Sequence, residues 1–159
     1  MRVYIGTTYD GLRELYRTSS LGPAPLLGHA VTPALREAYA EGDTEELEYV
    51  ALTAAALDSL RMLAKHDCEP RWRAVLAADV PDAAITALHD IGPSAVDVSS
   101  VVPLAKVDAI HVDDPDAEGA VDAALAALKA GGEAADEVED VQAEDLMWFA
   151  TQELPFLLA

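Results

Sequence analysis

The sequence predicts a single α+β domain over residues 1–159, a small mixed sheet of about four strands covered by helices. Three observations carry that expectation. A chain of 159 residues suits one core, in which roughly two thirds of the surface exposed by the unfolded chain can be buried. Short apolar runs of strand length sit beside longer runs whose apolar groups recur three and four residues apart. Apolar residues make up 52% of the chain and aromatics 6%, so small side chains must let helices approach closely. Alternation of strand and helix beyond residue 71 leaves a parallel α/β sheet as the alternative.

Over residues 2–6, Val3 and Ile5 alternate with Arg2 and Tyr4, the period-two pattern of a half-buried strand. Thr7 and Thr8 offer hydroxyl caps to a helix in which Leu12, Leu15 and Tyr16 share a side. LGPAPLLGHA then interrupts with two prolines and two glycines. A second helix starts at Thr32-Pro33, a hydroxyl cap followed by proline where its missing N–H costs nothing, and runs to about Ala40. Asp43-Thr44-Glu45-Glu46 is an acidic form of the capping box. It opens the longest helix, about 44–65, along which Leu47, Val50, Ala51, Ala54, Leu57, Leu60 and Ala64 form a stripe that Leu52 and Met62 broaden.

AVLAA, within 71–79, does not alternate, which suits a central strand covered on both faces. A helix is expected at 81–89, with Pro81 near its start and Asp79 as cap. A short strand at 95–98, a helical turn at 103–106 and a last strand at 107–112 follow. Asp114 caps and Pro115 starts a helix whose Val121, Ala124, Leu125 and Leu128 share a face, stopped by Gly131-Gly132. Residues 131–145 are acidic and small, the composition of a flexible linker. Residues 146–159 read as a C-terminal amphipathic helix and apolar tail, with Leu146, Phe149, Ala150 and Leu154 spaced by three or four and Pro155 ending the helix.

The formal charge of −19 is lopsided: residues 1–80 hold 8 basic and 12 acidic groups, net −4, and residues 81–159 hold 2 and 17, net −15. That field repels phosphates and anionic headgroups, which argues against direct nucleic-acid or membrane-surface binding, and it favours a basic protein partner. Solubility is the plainer use of the same charge. Cys68 is the lone cysteine, so neither an intramolecular disulfide nor a CxxC metal site can form, as a reducing compartment permits. MRVYIGTTYDG reads as strand and turn in place of a signal peptide. No apolar stretch nears the roughly 18 to 20 residues that span a bilayer. A soluble cytoplasmic protein is expected.

Candidate chemistry lies in several places. His111 and Asp113, two apart in a strand, share a face and could ligate a hard or borderline metal, with Asp79 or His89 as a distant third ligand. Against this, Asp114, Pro115 and Asp116 have a complete local role as cap, first-turn proline and acid at a helix start. The cap is preferred, and no metal or other cofactor is expected. IGTTYDG has glycines at phosphate-loop spacing but no Lys-Ser or Lys-Thr after them, so it is not a Walker motif. Amides near Thr7 and Thr8, with Arg13 and Arg17 in the same helix, could still hold a small anion.

His66-Asp67-Cys68 places base, acid and thiol in a row, which is not the spatial relation that nucleophilic catalysis needs. Asp97 and Asp108 could meet as a carboxylate pair on neighbouring strands. Neither Gly-x-Ser-x-Gly nor His-Glu-x-x-His occurs. Trp148, Phe149 and Phe156 would pack on the body, present a partner-binding surface, or exchange between copies in a homodimer through the C-terminal helix. Packing in cis is preferred.

MRVYI, DGLRELY, LGPAPL, AVTPALREAYAEGDTEELEYVAL, AADVPDAA, HVDD and ATQELP resemble, in that order, a family of uncharacterised proteins widespread in actinobacteria, over nearly the whole chain. The resemblance implies a bacterial cytoplasmic protein and brings no catalytic residue with it. The expected function is that of a non-enzymatic, acidic interaction or regulatory protein that binds a basic protein partner through its C-terminal half. The alternative is a small enzyme, or a ligand or metal binder, with a pocket near the strand ends around Thr7, Asp79 and His111, where sheets of α/β type often bind ligands.

Overall fold

The computed structural model describes residues 1–131 and 135–159, and the segment at its centre is AVLAA. That run forms most of β4 (Ala74–Asp79), flanked by β1 (Arg2–Thr7) and β8 (Val107–Asp113). With a neighbour on each edge and cover on each face, it needs no polar position, and Ala74 through Ala78 are all buried. The sheet extends through β3 (Leu26–His29), β6 (Ala95–Val98) and β5 (Ile85–Ala87) on one side and β9 (Leu146–Ala150) on the other. Its order is β5-β6-β3-β1-β4-β8-β9, and the described pairs are antiparallel throughout. A separate two-stranded ladder joins β2 (Ser20–Leu21) to β7 (Val102–Pro103).

Mixed helix and strand in a single domain is as expected, but the sheet has seven strands and not about four, it is antiparallel where a mixed sheet was expected, and the parallel alternative is overturned. Two of the additional strands lay under misleading local signals. β3 sits inside LGPAPLLGHA, where glycine marks close packing as well as a turn: a Cβ on Gly28 would collide with the Val3 side chain. β5 sits inside the expected helix at 81–89, which shrinks to a single 3-10 turn, Asp82–Ala84, because Ile85–Ala87 find a ladder on β6.

The helices are α1 (Tyr9–Thr18), α2 (Pro33–Ala38), α3 (Thr44–Lys65), α4 (Glu118–Lys129), α5 (Ala135–Gln142) and α6 (Leu154–Leu157). Their starts follow the expected caps. Thr8 accepts from the Gly11 N–H at 3.3 Å, Thr32 from Leu35 at 3.0 Å, and Asp43 from Glu46 at 2.8 Å. Asp114 accepts from Asp116 at 2.9 Å and opens a 3-10 turn that leads into α4. Gly131, at φ 78°, turns the chain after α4.

Two further expectations are corrected. The flexible linker at 131–145 is in large part α5, because Val138 and Val141, three apart, give it an apolar side and Val141 is fully buried; residues 132–134 lie outside the described residues. The C-terminal amphipathic helix at 146–159 is instead an edge strand, a 3-10 turn and the short α6. LMWFA satisfies a period of two as readily as one of 3.6, and the open edge of β8 decides between them.

The sheet separates two apolar clusters. Val3, Ile5, Leu76 and Ile110 project to one side, where Leu12 and Leu15 of α1, Val121 and Leu125 of α4 and Leu154 of α6 complete the larger cluster. Tyr4, Val75, Ala77 and Ala109 project to the other and meet Ala51, Ala55 and Ala56 of α3. α3 crosses β1 so closely at Gly6 that a Cβ there would stand 2.8 Å from the Ser59 nitrogen and nearer still to the Ala55 carbonyl oxygen.

Candidate functional site

Toward the N-terminal half of α3, the face of the sheet beneath it opens into a polar cleft of about 470 Å³. Simple periodicities assemble its walls. Arg2 and Tyr4 alternate onto this face from β1, and Ala109 and His111 do so from β8. Trp148 of β9 is the cross-strand partner of His111. Glu45, Glu48, Tyr49 and Leu52 recur at i, i+3, i+4 and i+7, so one side of α3 presents all four. Asp108 completes the rim at the irregularity in the β4–β8 register.

The charges in the cleft are unequal. The Arg2 guanidinium lies 3.8 Å from Glu48 and 3.6 Å from Asp108, leaving Glu45 without that cation. Tyr4 donates its hydroxyl to Glu48 at 2.9 Å. Burial, together with that carboxylate, pushes the phenol up to about 12, so it keeps its proton and remains a donor. Burial, and secondarily Arg2, holds the His111 imidazole below its usual value, which leaves a neutral ring at pH 7. Tyr49 donates to Asp145 at 3.0 Å. Trp148, 62% exposed, stands on the rim with its indole uncovered. Carboxylates beside uncovered aromatic rings suit a cation, through charge-assisted hydrogen bonds and the negative ring faces. The neutral imidazole adds a group able to accept a proton.

Two other polar clusters serve the fold. Ser94, His29 and Asp58 form a line, with the Ser94 hydroxyl 2.8 Å from His29 Nδ1 and Asp58 2.6 Å from Nε2. A nucleophilic triad is built from the same residue types, but Ser94 is buried and the described cavities do not reach it. The line pins β3 and β6 to α3. Arg73, immediately before β4, is 1% exposed and grips the fully buried Asp113 through Nε and Nη2, the latter at 2.7 Å.

The residues singled out from sequence do not converge as expected. Thr7 is opposite Ala74 and Asp79 is opposite Arg2, so they stand at opposite ends of the β1–β4 ladder, about 17 Å apart at 3.4 Å per residue. Thr7 is buried, its carbonyl accepting from the Ser59 hydroxyl at 2.6 Å, and Thr8 is occupied as a cap. Asp79 instead pairs with the terminal amine at 3.4 Å. His111 is the member of that trio that lines the cleft. Asp113 shares its face, as period two requires, but spends its oxygens on Arg73. Among the described residues, no group of three or more His, Cys, Asp or Glu is placed to hold a metal ion.

Asp97 and Asp108 cannot pair, because β3, β1 and β4 lie between their strands. Cys68 is buried and accepts the Asp10 N–H on its sulfur. The aromatic trio is divided: Trp148 faces the cleft, Phe149 packs on the opposite cluster, and Phe156, 79% exposed, rides on α6 beside α1. Sequence reasoning missed Arg2, Tyr4, Glu45, Glu48 and Tyr49. The spacing along α3 was there to find, but only the tertiary crossing says which side of that helix meets β8 and β9.

The model of a family of unknown function, DUF6912, matches residues 1–158. No curated protein and no solved structure matches the chain. MRVYI, EGDTEELEY and HVDD supply Arg2, Tyr4, Glu45, Glu48, Tyr49 and His111 to the cleft.

Proposed function

We propose that this chain, which belongs to DUF6912, is a non-enzymatic, acidic interaction or regulatory protein that takes a basic protein partner at the cleft between α3 and the β8–β9 edge. One observation carries the proposal: the uncovered Trp148 stands beside Glu45, Glu48 and Asp108, with Arg2 alone among the lining residues to answer their charge. A lysine or arginine entering there gains carboxylate partners and an indole face together. The net charge of −19 steers such a partner in and turns nucleic acid away. A cytoplasmic, actinobacterial setting belongs to the same proposal, resting on the lone cysteine and on the family resemblance. Among the described residues no helix is long and apolar enough to cross a membrane.

A synthetic lysine-rich peptide, titrated against the full chain and against Glu45→Gln/Asp108→Asn/Trp148→Ala, tests this. The substituted chain should bind about tenfold more weakly or worse. Equal affinity for both chains would remove the cleft as the partner site.

A second reading, a small enzyme or ligand binder, is favoured by the neutral His111 lying beside the protonated Tyr4, their ring centroids 6.5 Å apart. Screening of small organic amines by thermal shift decides it. A compound that raises the Tm of the native chain and not of His111→Ala would support a small-molecule site; no shift with any amine would leave the protein partner alone.

A further inference from the structure

β9 ends the sheet, and among the described residues no strand pairs with its outer edge. Its register sets Val112 against Met147, His111 against Trp148 and Ile110 against Phe149. Two bonds determine which backbone groups face outward. The Asp113 N–H donates to the Arg73 carbonyl at 3.1 Å, so Asp113 faces β4 and, by alternation, Val112 faces β9. Met147 and Phe149 therefore exchange bonds with β8, while Leu146, Trp148 and Ala150 turn their N–H and C=O groups away from the sheet. Ala150 agrees: its N–H donates to Glu153 at 2.8 Å, which blocks one end of the edge. No bond to a described residue takes the outward groups of Leu146 or Trp148. LMWFA contains neither charge nor proline, the usual devices that blunt an edge strand.

We infer that this edge is where the partner docks, and that the partner supplies an extended basic segment which adds to the sheet as a strand beside Leu146 and Trp148. The inference rests on the cleft being a basic-partner site and names the form the partner takes. In a hydrogen-bonded antiparallel pair the two side chains share a face. The partner residue opposite Trp148 thus points its N–H at β9 and its side chain to the Trp148 side, where a lysine or arginine lies along the indole toward Glu45 and Asp145. Charge selects this occupant over a second copy of the chain. Two copies, each at −19, repel one another, whereas a basic strand is drawn to the acidic surface and neutralises Asp145 and its neighbour Glu144 beside the edge.

The probe is a peptide of about nine residues, the length of a single strand, alternating lysine and valine and titrated calorimetrically against the full chain. Methylating the lysine amide nitrogens, which point at β9, should weaken binding about tenfold or more, since each blocked N–H removes a strand hydrogen bond. Methylating the valine amides, which point to solvent, should leave the affinity close to that of the parent. Equal affinities for the two methylated peptides would overturn strand addition, and the cleft proposal would then stand or fall on its own substitutions, because the charges are unchanged. Failure of the parent peptide to bind overturns both. A chain that sediments as a dimer, and becomes monomeric on Trp148→Pro, would overturn the inference in favour of a second copy at the edge.

Discussion

Arg73 and Asp113 carry the most deeply buried charges described, and what surrounds them decides what they are worth. Asp113 accepts from the Arg73 side chain and from its backbone N–H at 2.7 Å; Arg73 goes on to Gln142 and to the Glu144 carbonyl. Replacing Asp113 by alanine strands a guanidinium in the interior, a change that costs about 3–5 kcal/mol. Urea unfolding of Asp113→Ala should show it, and a loss under about 1 kcal/mol would mean that water reaches Arg73. His111 gives a second prediction. Its folded value lies below its usual one, burial first and Arg2 second, whereas the unfolded ring titrates near roughly 6.5. Above that pH both states hold a neutral ring and stability is complete. As pH falls through it, the unfolded chain takes a proton that the folded site resists, so stability falls. Urea midpoints on either side of that window should therefore fall less in His111→Gln than in the native chain; parallel curves would refute the shift. The caps Thr8, Thr32, Asp43 and Asp114 were legible in the sequence because a cap is satisfied within three residues. The role of Asp113 was not, since its partner lies 40 positions away.

At the scale of elements, α3 positions the cleft, and Gly6 is what lets it do so. With no Cβ at that point, α3 rests directly on β1, and its far end brings Glu45, Glu48 and Tyr49 over β8 and β9. Gly6→Ala must push the helix off the strand, at a cost of about 3 kcal/mol, the upper range for overpacking a tight site. It should also weaken peptide binding at the cleft, because the α3 wall moves. Gly119, exposed in α4 with nothing near its would-be Cβ, is the control: alanine there should stabilise by up to about 1 kcal/mol. Thermal unfolding of the two variants checks both signs. The boundaries of α3 were readable because twenty-two residues carry a cap and a sustained stripe. β9 was not readable: five residues of LMWFA fit either period, and only the free edge of β8 settles their conformation. β3 was hidden for a different reason, as its glycine serves close packing against Val3 and not a turn.

For the whole molecule, composition gave the charge but could not say where charge meets an opening. The net value of −19 was plain, and its concentration after residue 80 pointed to the C-terminal half; the cleft draws instead on both halves, because β1 and α3 fold against β8 and β9. The same charge predicts two responses of opposite sign to one change in solvent. Self-repulsion is greatest in the compact state, so screening relieves the folded chain more than the unfolded one. Raising sodium chloride from about 0.01 to 0.15 M, which shortens the Debye length from roughly 30 to 8 Å, should therefore raise the thermal midpoint. Over the same range the lysine–valine peptide should bind more weakly, because its attraction to Glu45, Asp108 and the wider acidic surface is screened. Arg2 limits the loss, since its ion pairs with Glu48 and Asp108 already offset part of the local field, and Arg2→Gln should steepen the salt dependence. A salt-insensitive affinity alongside a rising midpoint would show that the peptide is held by apolar contact with Trp148 alone, and charge would then have no part in choosing the partner.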